Sequence, residues 1–456
     1  SRTDKLKALR QMVARRVPGA ANGSQQFENF EKSAGEVIDL TFTCIDVRSK
    51  GLGPWHVALV AAWASHHPQV TELLLGHNRC IGQDGKSDLH LDPWCRTVKR
   101  LATDANIRNL DLYSVGMGPA GLLVLTQGGL LRQLTALNLG SNPIIGDDKY
   151  EEKQHRESAD VWGMFCEALC CSNIASLNLR NTGLVPQSLS TFSNSLYRNA
   201  ELIAKQGTLA DMVLADNDLT AAGDVSGLAI FLVSASCVAR LDISATGLGP
   251  SCAEAIANEL SELHNLTSLN IAGNNIGVDG AALMAHKMQQ HSQDLNLLLI
   301  GDASKPTSIP VSQTISDKLD WSAKGLGPAD AVLFSALLPT VTVAKIDLRG
   351  NELGYVGKAA VATAMRHWGL HGECPIEQLR IDLGNTASPG ATIKISQTAV
   401  KLDSRDLSLQ DLLLVAGFLA RQPEVDALDL SDNVNLFEPQ EGDVEYWDTM
   451  RKALHR

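Results

Sequence analysis

The sequence predicts an α/β solenoid of about 13 to 14 stacked strand-and-helix repeats, some of them irregular. One decapeptide occurs four times: IDVRSKGLGP from Ile45, LDLYSVGMGP from Leu110, LDISATGLGP from Leu241 and LDWSAKGLGP from Leu319. A related motif, LxLxxN with conservative variation, occurs between and after these copies: LLLGHN from Leu73, LNLGSN from Leu137, MVLADN from Met212, LNIAGN from Leu269, IDLRGN from Ile346 and LDLSDN from Leu428. The starts at 45 and 73 are 28 residues apart, those at 110 and 137 are 27 apart, and those at 212 and 241 are 29 apart, which gives a repeat of about 28 residues.

Each repeat changes its hydrophobic period part-way along. Apolar residues first alternate, as at Leu269 and Ile271, and then follow helical spacing, as at Ala281, Met284 and Met288. A period of two followed by a period of 3.6 indicates one short strand and one helix per repeat. Neither element can bury its apolar face alone, so the repeats must stack. The asparagine of LxLxxN is predicted to be structural, bonding backbone groups where the chain leaves the strand.

These motifs resemble the leucine-rich repeat family over roughly residues 37–437. The period of 27 to 29 residues, with GLGP or a similar turn before a helix, is similar to the ribonuclease-inhibitor-like subclass. The resemblance implies a curved solenoid with parallel strands on its concave face and helices on its convex face. Proteins of this subclass include enzyme inhibitors, immune sensors, ciliary scaffolds and a GTPase activator, so the resemblance points to a fold more than to a function.

The predicted domain organisation has three parts: a basic helical lead or cap over 1–36, the repeat solenoid over 37–437, and a cap or tail over 438–456. Residues 1–16 carry six basic residues against one acid, a composition shared by a capping helix and by a processed organelle transit end. Two segments, SIPVSQTISDKLD and TIKISQTAVKLD, share an SQT core and lack room for a helix. Each is predicted to be an extra extended segment that leads a module of two repeats, which favours a solenoid divided into subarrays. The charged insertion GDDKYEEKQHRESAD is predicted to bulge as a loop.

Composition excludes several classes of function. The 39 basic and 51 acidic residues give a net charge of −12, which disfavours binding to nucleic acid or to an anionic membrane. No apolar run reaches the roughly 18 to 20 residues needed to span a bilayer. The nine cysteines are odd in number and mostly far apart, so reduced thiols are expected. We therefore expect an intracellular reducing compartment: the cytoplasm, including a cilium, or an organelle matrix if the N-terminus is a processed transit end.

The sequence predicts no catalytic, cofactor-binding or metal-binding residues. Gly116, Gly118 and Gly121 spell GxGxxG, but the acidic residue expected about 20 positions later is missing. Cys166 and Cys170 have a spacing compatible with two metal ligands, yet no second ligand pair accompanies them, which favours buried thiols.

The concave face offers a candidate interaction surface, because one residue per strand points outward between two buried ones. In chain order these positions are predicted to be Asp46, Leu74, Asp111, Asn138, Asn178, Val213, Asp242, Asn270, Leu298, Asp320, Asp347, Arg380, Asp403 and Asp429. Such a column of carboxylates would attract a basic partner. Alternatively the field largely cancels, because flanking positions hold Arg48, Arg180, Arg240, Lys318, Lys345, Arg349 and Lys401.

A more apolar stretch is a second candidate surface, with Tyr113 and Trp321 as anchors unless Trp321 is buried. It centres on Leu74, Val213, Leu298 and Ile300. The residues predicted to contact a partner are Asp111, Tyr113, Asp242, Asp320, Asp347, Arg349, Asp403 and Asp429.

The predicted function is that of a non-enzymatic scaffold or adaptor that binds protein partners, basic ones in particular, as a subunit of a larger assembly. It needs no cofactor. The alternative is a GTPase-activating regulator resembling the Ran GTPase-activating protein family. The long acidic C-terminal tail of that family has no counterpart here, since the chain turns basic at Arg451 and Lys452.

Overall fold

The computed structural model describes residues 43–82, 90–145, 152–259, 263–291, 295–311, 315–337, 342–367, 378–381, 391–394, 399–404, 407–419 and 427–433. The chain forms two compact units, Ser1–Asp242 and Ile243–Arg456. The predicted segments 1–36 and 438–456 lie outside the described residues, and their assignment as caps stays a prediction. No helix in the described part is both long and apolar enough to cross a membrane.

The described part of the first unit contains seven strands of three residues each, every one parallel to the next: β1 Cys44–Asp46, β2 Glu72–Leu74, β3 Asn109–Asp111, β4 Ala136–Asn138, β5 Ser176–Asn178, β6 Asp211–Val213 and β7 Arg240–Asp242. The buried residue at the centre of each strand lies opposite its counterpart in the next strand, as Ile45, Leu73 and Leu110 do. This register follows from the repeat, since each strand turns the same side chain towards the core.

Helices form the second layer of this unit: α1 Pro54–Ala64, α2 Leu91–Asp104, α3 Pro119–Gln127, α4 Glu152–Cys170, α5 Pro186–Arg198, the short α6 Ala200–Gln206 and α7 Ser226–Ser234. Helices of neighbouring repeats pack side by side. Buried aromatic rings fill the space between them, and the indole of Trp94 donates to the carbonyl of Gly121 at 3.0 Å, while that of Trp162 donates to Ser188 at 2.8 Å. The hydrogen bonds satisfy the only polar atom of each ring.

The recurring decapeptide is the turn between strand and helix. In the copy from Leu110, Ser114 has φ +53° and Gly116 has φ +77°, and Pro119 begins α3. A Cβ atom on Gly116 would lie 2.6 Å from the Cα of Gly82, so this glycine is required by both its φ and its close contact. Proline suits the first helical position because its missing N–H would have no partner there. The GxGxxG spelling is thus part of a turn that three other repeats share.

The asparagines of LxLxxN have the predicted structural role. Asn142 is fully buried, and its Oδ1 accepts from the amides of Val115 at 3.1 Å and Met117 at 3.0 Å. Its Nδ2 donates to the carbonyls of Leu112 at 2.7 Å and Leu139 at 2.9 Å. The side chain therefore joins the turn of one repeat to the strand of the next. The same bridging pattern recurs at Asn78, Asn217, Asn274, Asn351 and Asn433.

The second unit contains the strands β8 Ser268–Asn270, β9 Leu297–Ile300, β10 Thr307–Pro310, β11 Ile315–Asp320, β12 Thr342–Asp347, β13 Gln378–Ile381, β14 Ala391–Lys394, β15 Ala399–Lys401 and β16 Ala427–Asp429. Its helices are α8 Pro250–Glu259, α9 Gly277–His291, α10 Pro328–Leu337, α11 Gly354–His367 and α12 Leu409–Leu419. Each helix packs against the next in sequence.

The parts of the SQT segments that the structure describes are extended, as predicted, whereas the SQT residues themselves, 312–314 and 396–398, lie outside the described residues. In the first, β10 pairs antiparallel with β9, and β11 then begins a separate sheet that runs parallel to β12 and β13. In the second, β14 pairs antiparallel with β13, and β15 pairs with β16 in another sheet. Each antiparallel strand is thus the last strand of its sheet, and the parallel strands that follow belong to a new sheet.

The prediction of a loop for the insertion over 146–160 is wrong for its second half. Residues from Glu152 onward form the first turns of α4, which ends at Cys170. The run EEKQHRESAD is rich in residues with high helix propensity, so the insertion lengthens the helix of its repeat.

Candidate interaction surface on the strands

The outward residues of the first unit lie in one row, as the repeat spacing predicts. The register pairs them across neighbouring strands in the order Asp46, Leu74, Asp111, Asn138, Asn178, Val213 and Asp242. Parallel strands stand about 4.8 Å apart, so this row presents closely spaced side chains on one surface.

Two positions of the predicted row are wrong in the second unit. Leu298 pairs with Leu269 and is fully buried, so Leu299, which pairs with Asn270, takes the outward position. Ile300 is buried as well, which removes half of the predicted apolar surface. The error arises because this repeat is one residue longer than the spacing assumed, and a slip of one residue exchanges the two faces of a strand.

Asp403 is the other misplaced residue. Lys401, and not Asp403, lies opposite Asp429, whereas Asp403 is exposed in the turn after β15. The residue that follows it, Ser404, has φ +52°, like Ala323 at the matching place after β11. The buried positions in this repeat are therefore Val400 and Leu402, two residues before the register that the sequence predicted.

Basic neighbours neutralise several aspartates of the row. Arg48 donates to Asp46 at 3.0 and 2.7 Å, and Lys318 donates to Asp320 at 2.7 Å. Hydrogen bonding from these cations lowers the pKa of both carboxyl groups below its ordinary value. These contacts support the interpretation in which the field of the acidic column largely cancels.

Asp347 is an internal anchor and not an exposed contact residue. Its side chain is 2% exposed, and Arg349 binds it with two hydrogen bonds, from Nε at 2.8 Å and from Nη2 at 2.7 Å. Arg380 approaches the same carboxylate from β13, with Nη1 3.7 Å from Oδ2. Hydrogen bonding from Arg349 lowers the pKa of Asp347. The prediction that Asp347 faces a partner is therefore wrong, although Arg349 is accessible at 40% of its side chain.

Asp111 is also mostly buried, at 8% exposure, because it leans over the backbone of β2. A Cβ on Gly76 would lie 2.9 Å from Asp111 Oδ2, so only glycine leaves room for the carboxylate. On the other side, Tyr113 lies over Gly140, where a Cβ would meet the ring at 2.7 Å. Two glycines thus give the aspartate and the tyrosine their positions. The Tyr113 ring is partly exposed, and its centroid is 5.0 Å from that of His77.

The remaining predicted contact residues are accessible at the surface. Asp242 is partly exposed, and Asp429 is exposed and accepts hydrogen bonds from Ser431 N at 3.1 Å and Ser431 Oγ at 2.7 Å. These bonds from Ser431 lower the pKa of Asp429. Trp321 is 4% exposed and packs on Phe334, so it belongs to the core and cannot anchor a partner.

The cysteines with metal-ligand spacing pack in the helical layer. Cys166 and Cys170 are buried, and burial raises the pKa of Cys166 well above its ordinary value and that of Cys170 to about 12. Both thiols stay protonated at neutral pH, a state that disfavours metal binding. Within the described residues, no group of three or more His, Cys, Asp or Glu is placed to hold a metal ion.

The comparison with protein families agrees with the repeat geometry. The family described as Leucine Rich repeat matches residues 262–285, which include β8 and the start of α9. The chain is a leucine-rich repeat protein. The match covers one repeat, and five further repeats within the described residues carry the same bridging asparagine. No curated protein sequence matches this leucine-rich repeat protein.

Three solved structures are similar to the chain at low sequence identity and with TM-scores below 0.5. It is similar to the leucine-rich repeat-containing protein LegL7 from Legionella pneumophila, with 17% identity, a TM-score of 0.43 and coverage of 78% of this chain and 97% of that one. It is similar to an internalin from Listeria monocytogenes, with 13% identity, a TM-score of 0.35 and coverage of 84% and 95%. It is also similar to a structure of the Rad7 and Elc1 complex in yeast, with 14% identity, a TM-score of 0.37 and coverage of 99% and 86%.

Proposed function

We propose that this leucine-rich repeat protein is a non-enzymatic scaffold or adaptor that binds protein partners through the strand side of its repeats, as a subunit of a larger assembly. We further propose that its repeats are of the ribonuclease-inhibitor-like subclass. The period of about 28 residues and the helix that follows each turn support the subclass assignment.

The observation that carries the proposal is the fixed set of side chains on the strands of the first unit. Each strand is held in register by its neighbours and by a buried asparagine, so its outward side chains are ordered before a partner arrives. Preorganisation of this kind lowers the entropic cost of binding a large partner. Tyr113 and the arginines of this surface are residue types that dominate the energetics of protein interfaces.

The proposed compartment is intracellular and reducing. Cys80, Cys166 and Cys252 support this assignment, because they pack in the core as thiols. Burial raises the pKa of Cys80 to about 12, so this thiol serves packing and is a poor nucleophile.

Two matched variants of the full chain test the proposal. The strand-side variant carries Tyr113→Ala and Asp429→Lys, and the helix-side control carries Tyr197→Ala on α5 and Glu254→Lys on α8. Both variants remove one tyrosine and change the charge by the same amount. Each is used as bait in cell extract, and the proteins it retains are quantified by mass spectrometry against the wild-type chain.

We expect the strand-side variant to retain at least tenfold less of each specific partner than the wild-type chain does, whereas the control retains the wild-type amounts. Circular dichroism must show equal thermal unfolding for both baits. Partners that survive the strand-side changes but disappear with the control would place the interface on the helices and contradict the proposed surface. A wild-type chain that retains no specific partner would refute the scaffold function.

A further inference from the structure

The outward surface of β11, β12 and β13 carries more positive than negative charge, although the chain as a whole has a net charge of −12. We call it the basic patch, and it consists of Lys318, Asp320, Lys345, Asp347, Arg349 and Arg380. Four of these six residues are cationic and two are anionic. The surplus is local, so the composition of the chain does not account for it.

The register brings the cations of the basic patch together. Lys318 lies directly opposite Lys345, and Arg380 lies opposite Asp347 on the next strand. Like charges directly opposite each other destabilise a sheet. Asp320 partly offsets this for Lys318, whose Nζ donates to its carboxylate at 2.7 Å, but within the described residues no carboxylate forms an ion pair with Lys345. A ligand carboxylate beside Lys345 would offset the remaining repulsion, which makes this surface a candidate for recognition.

Two cations of the basic patch, Lys345 and Arg380, are available to bind an anion. The carboxylate of Asp347 makes both of its close hydrogen bonds to Arg349, and Arg380 is 3.7 Å away, too far for a hydrogen bond. The Arg380 side chain is 40% exposed, so a ligand can reach it, and its guanidinium has five N–H donors. Lys345 is exposed, and within the described residues no carboxylate forms an ion pair with it.

We propose that the basic patch of the second unit binds an acidic, extended segment of a partner protein, with Lys345 and Arg380 as its principal contacts. This inference rests on the proposed scaffold function and specifies the chemistry of one partner. Lys345 and Arg380 stand on neighbouring strands, two positions apart, so their Cα atoms are about 8 Å apart. Carboxylates at alternate positions of an extended peptide are about 6.6 Å apart, so one peptide can reach both cations.

The size of the patch favours a short acidic peptide over nucleic acid. Proteins that bind duplex DNA neutralise on the order of 6 to 10 phosphates, whereas this surface has two cations in excess. Asp320 and Asp347 also interrupt the positive charge, and the net charge of −12 repels a long polyanion. A peptide with two or three carboxylates avoids both penalties.

The test uses the full chain and a fluorescein-labelled peptide of four Glu-Ser repeats, followed by fluorescence anisotropy. We expect saturable binding at 50 mM NaCl that weakens at least tenfold at 300 mM, because exposed charges are screened by salt. Lys345→Glu and Arg380→Gln should each weaken binding at least tenfold. The control, Lys287→Glu on α9, changes the net charge as much as Lys345→Glu does and should change affinity less than twofold.

Three results would overturn the inference. The first is absence of saturable binding, and the second is an equal loss with Lys287→Glu, which would show an effect of net charge alone. The third is equal affinity for a labelled oligonucleotide of eight thymidines that falls with the same variants, since the patch would then bind polyanions in general. Urea unfolding curves show whether each variant is folded. If the peptide fails to bind but the Tyr113→Ala and Asp429→Lys bait still loses its partners, the scaffold function stands and only the acidic-segment inference falls.

Discussion

Asn142→Ala should remove a large part of the stability of the first unit without changing any exposed surface. The side chain is fully buried and joins two repeats. Its Oδ1 accepts from the amides of Val115 and Met117, at 3.1 and 3.0 Å, and its Nδ2 donates to the carbonyls of Leu112 and Leu139, at 2.7 and 2.9 Å. Alanine leaves all four backbone groups without these partners.

The expected loss follows from that count. A buried hydrogen bond contributes about 1 kcal/mol net, and a buried donor or acceptor left unsatisfied costs about 1 to 3 kcal/mol. Four bonds at the lower value give a loss of about 4 kcal/mol. Because whole domains are stable by only about 5 to 15 kcal/mol, this change removes between about a quarter and four fifths of that stability.

Urea unfolding followed by circular dichroism measures the free energy, and amide hydrogen exchange at Val115 and Met117 localises the effect. The matched control is Asn138→Ala in the same repeat. Asn138 is partly exposed, and its Oδ1 accepts a single hydrogen bond, from the amide of Gly140 at 3.1 Å. We expect the control to lose no more than about 1 kcal/mol.

Two results would refute this account of the asparagines. If Asn142→Ala costs no more than Asn138→Ala, the buried amide does not hold neighbouring repeats together. If the free energy falls by about 4 kcal/mol but exchange at Val115 and Met117 stays as slow as in the wild-type chain, the loss comes from elsewhere in the unit.

The remaining predictions concern one charge, two glycines and one activity. Asp347→Asn should cost about 2 kcal/mol at pH 7, because two hydrogen bonds from Arg349 lose their charged acceptor. The pKa of Asp347 is lower in the folded chain than in the unfolded one, so its contribution to stability is present above about pH 4 and is lost as the pH falls through the folded value. Urea titrations should therefore show that the free energy of unfolding changes less between pH 7 and pH 3 for the variant than for the wild-type chain. Gly116→Ala should lower stability by at least about 2 kcal/mol, whereas Gly129→Ala, with φ +76° but open space around its Cβ, should cost about 1 kcal/mol; equal losses would show that the contact with Gly82 is unimportant. The full chain should leave the rate of GTP hydrolysis unchanged across a panel of small GTPases, and an acceleration would favour the regulator alternative.

The repeat motifs predicted the fold well because the same local chemistry recurs in every repeat. The decapeptide contains two positions of positive φ, a buried leucine or methionine and a proline at the start of a helix, and all of these are local requirements. The outward row of the first unit followed directly from this spacing. In contrast, Leu298 and Asp403 were misplaced because their repeats differ from the standard length by one or two residues. In a strand an odd shift exchanges the buried and exposed faces, and an even shift moves a residue from the strand into the turn.

The candidate interaction surface was only partly predictable for a different reason. The sequence shows which residues share a surface, but the solvent exposure of each side chain also depends on its neighbours in other strands. Asp111 is buried because Gly76 leaves space beside it, and Asp347 is buried because Arg349 and Arg380 close over it. Gly76 is 35 residues from Asp111 and Arg380 is 33 residues from Asp347, so no local pattern reveals these two contacts, whereas Arg349 is only two residues from Asp347 and its contact is local.

By itself the sequence determined the repeat, the alternation of strand and helix, the turn chemistry and the role of the buried asparagines, because each depends on residues within about one repeat. Only the tertiary structure decided where the parallel sheets end, which half of the insertion is helical, and which charges remain available on the strands. Those properties depend on pairing between repeats. Whether a carboxylate such as Asp347 is buried or can meet a partner depends both on the cation two residues along its own repeat, Arg349, and on Arg380, which the neighbouring strand places beside it.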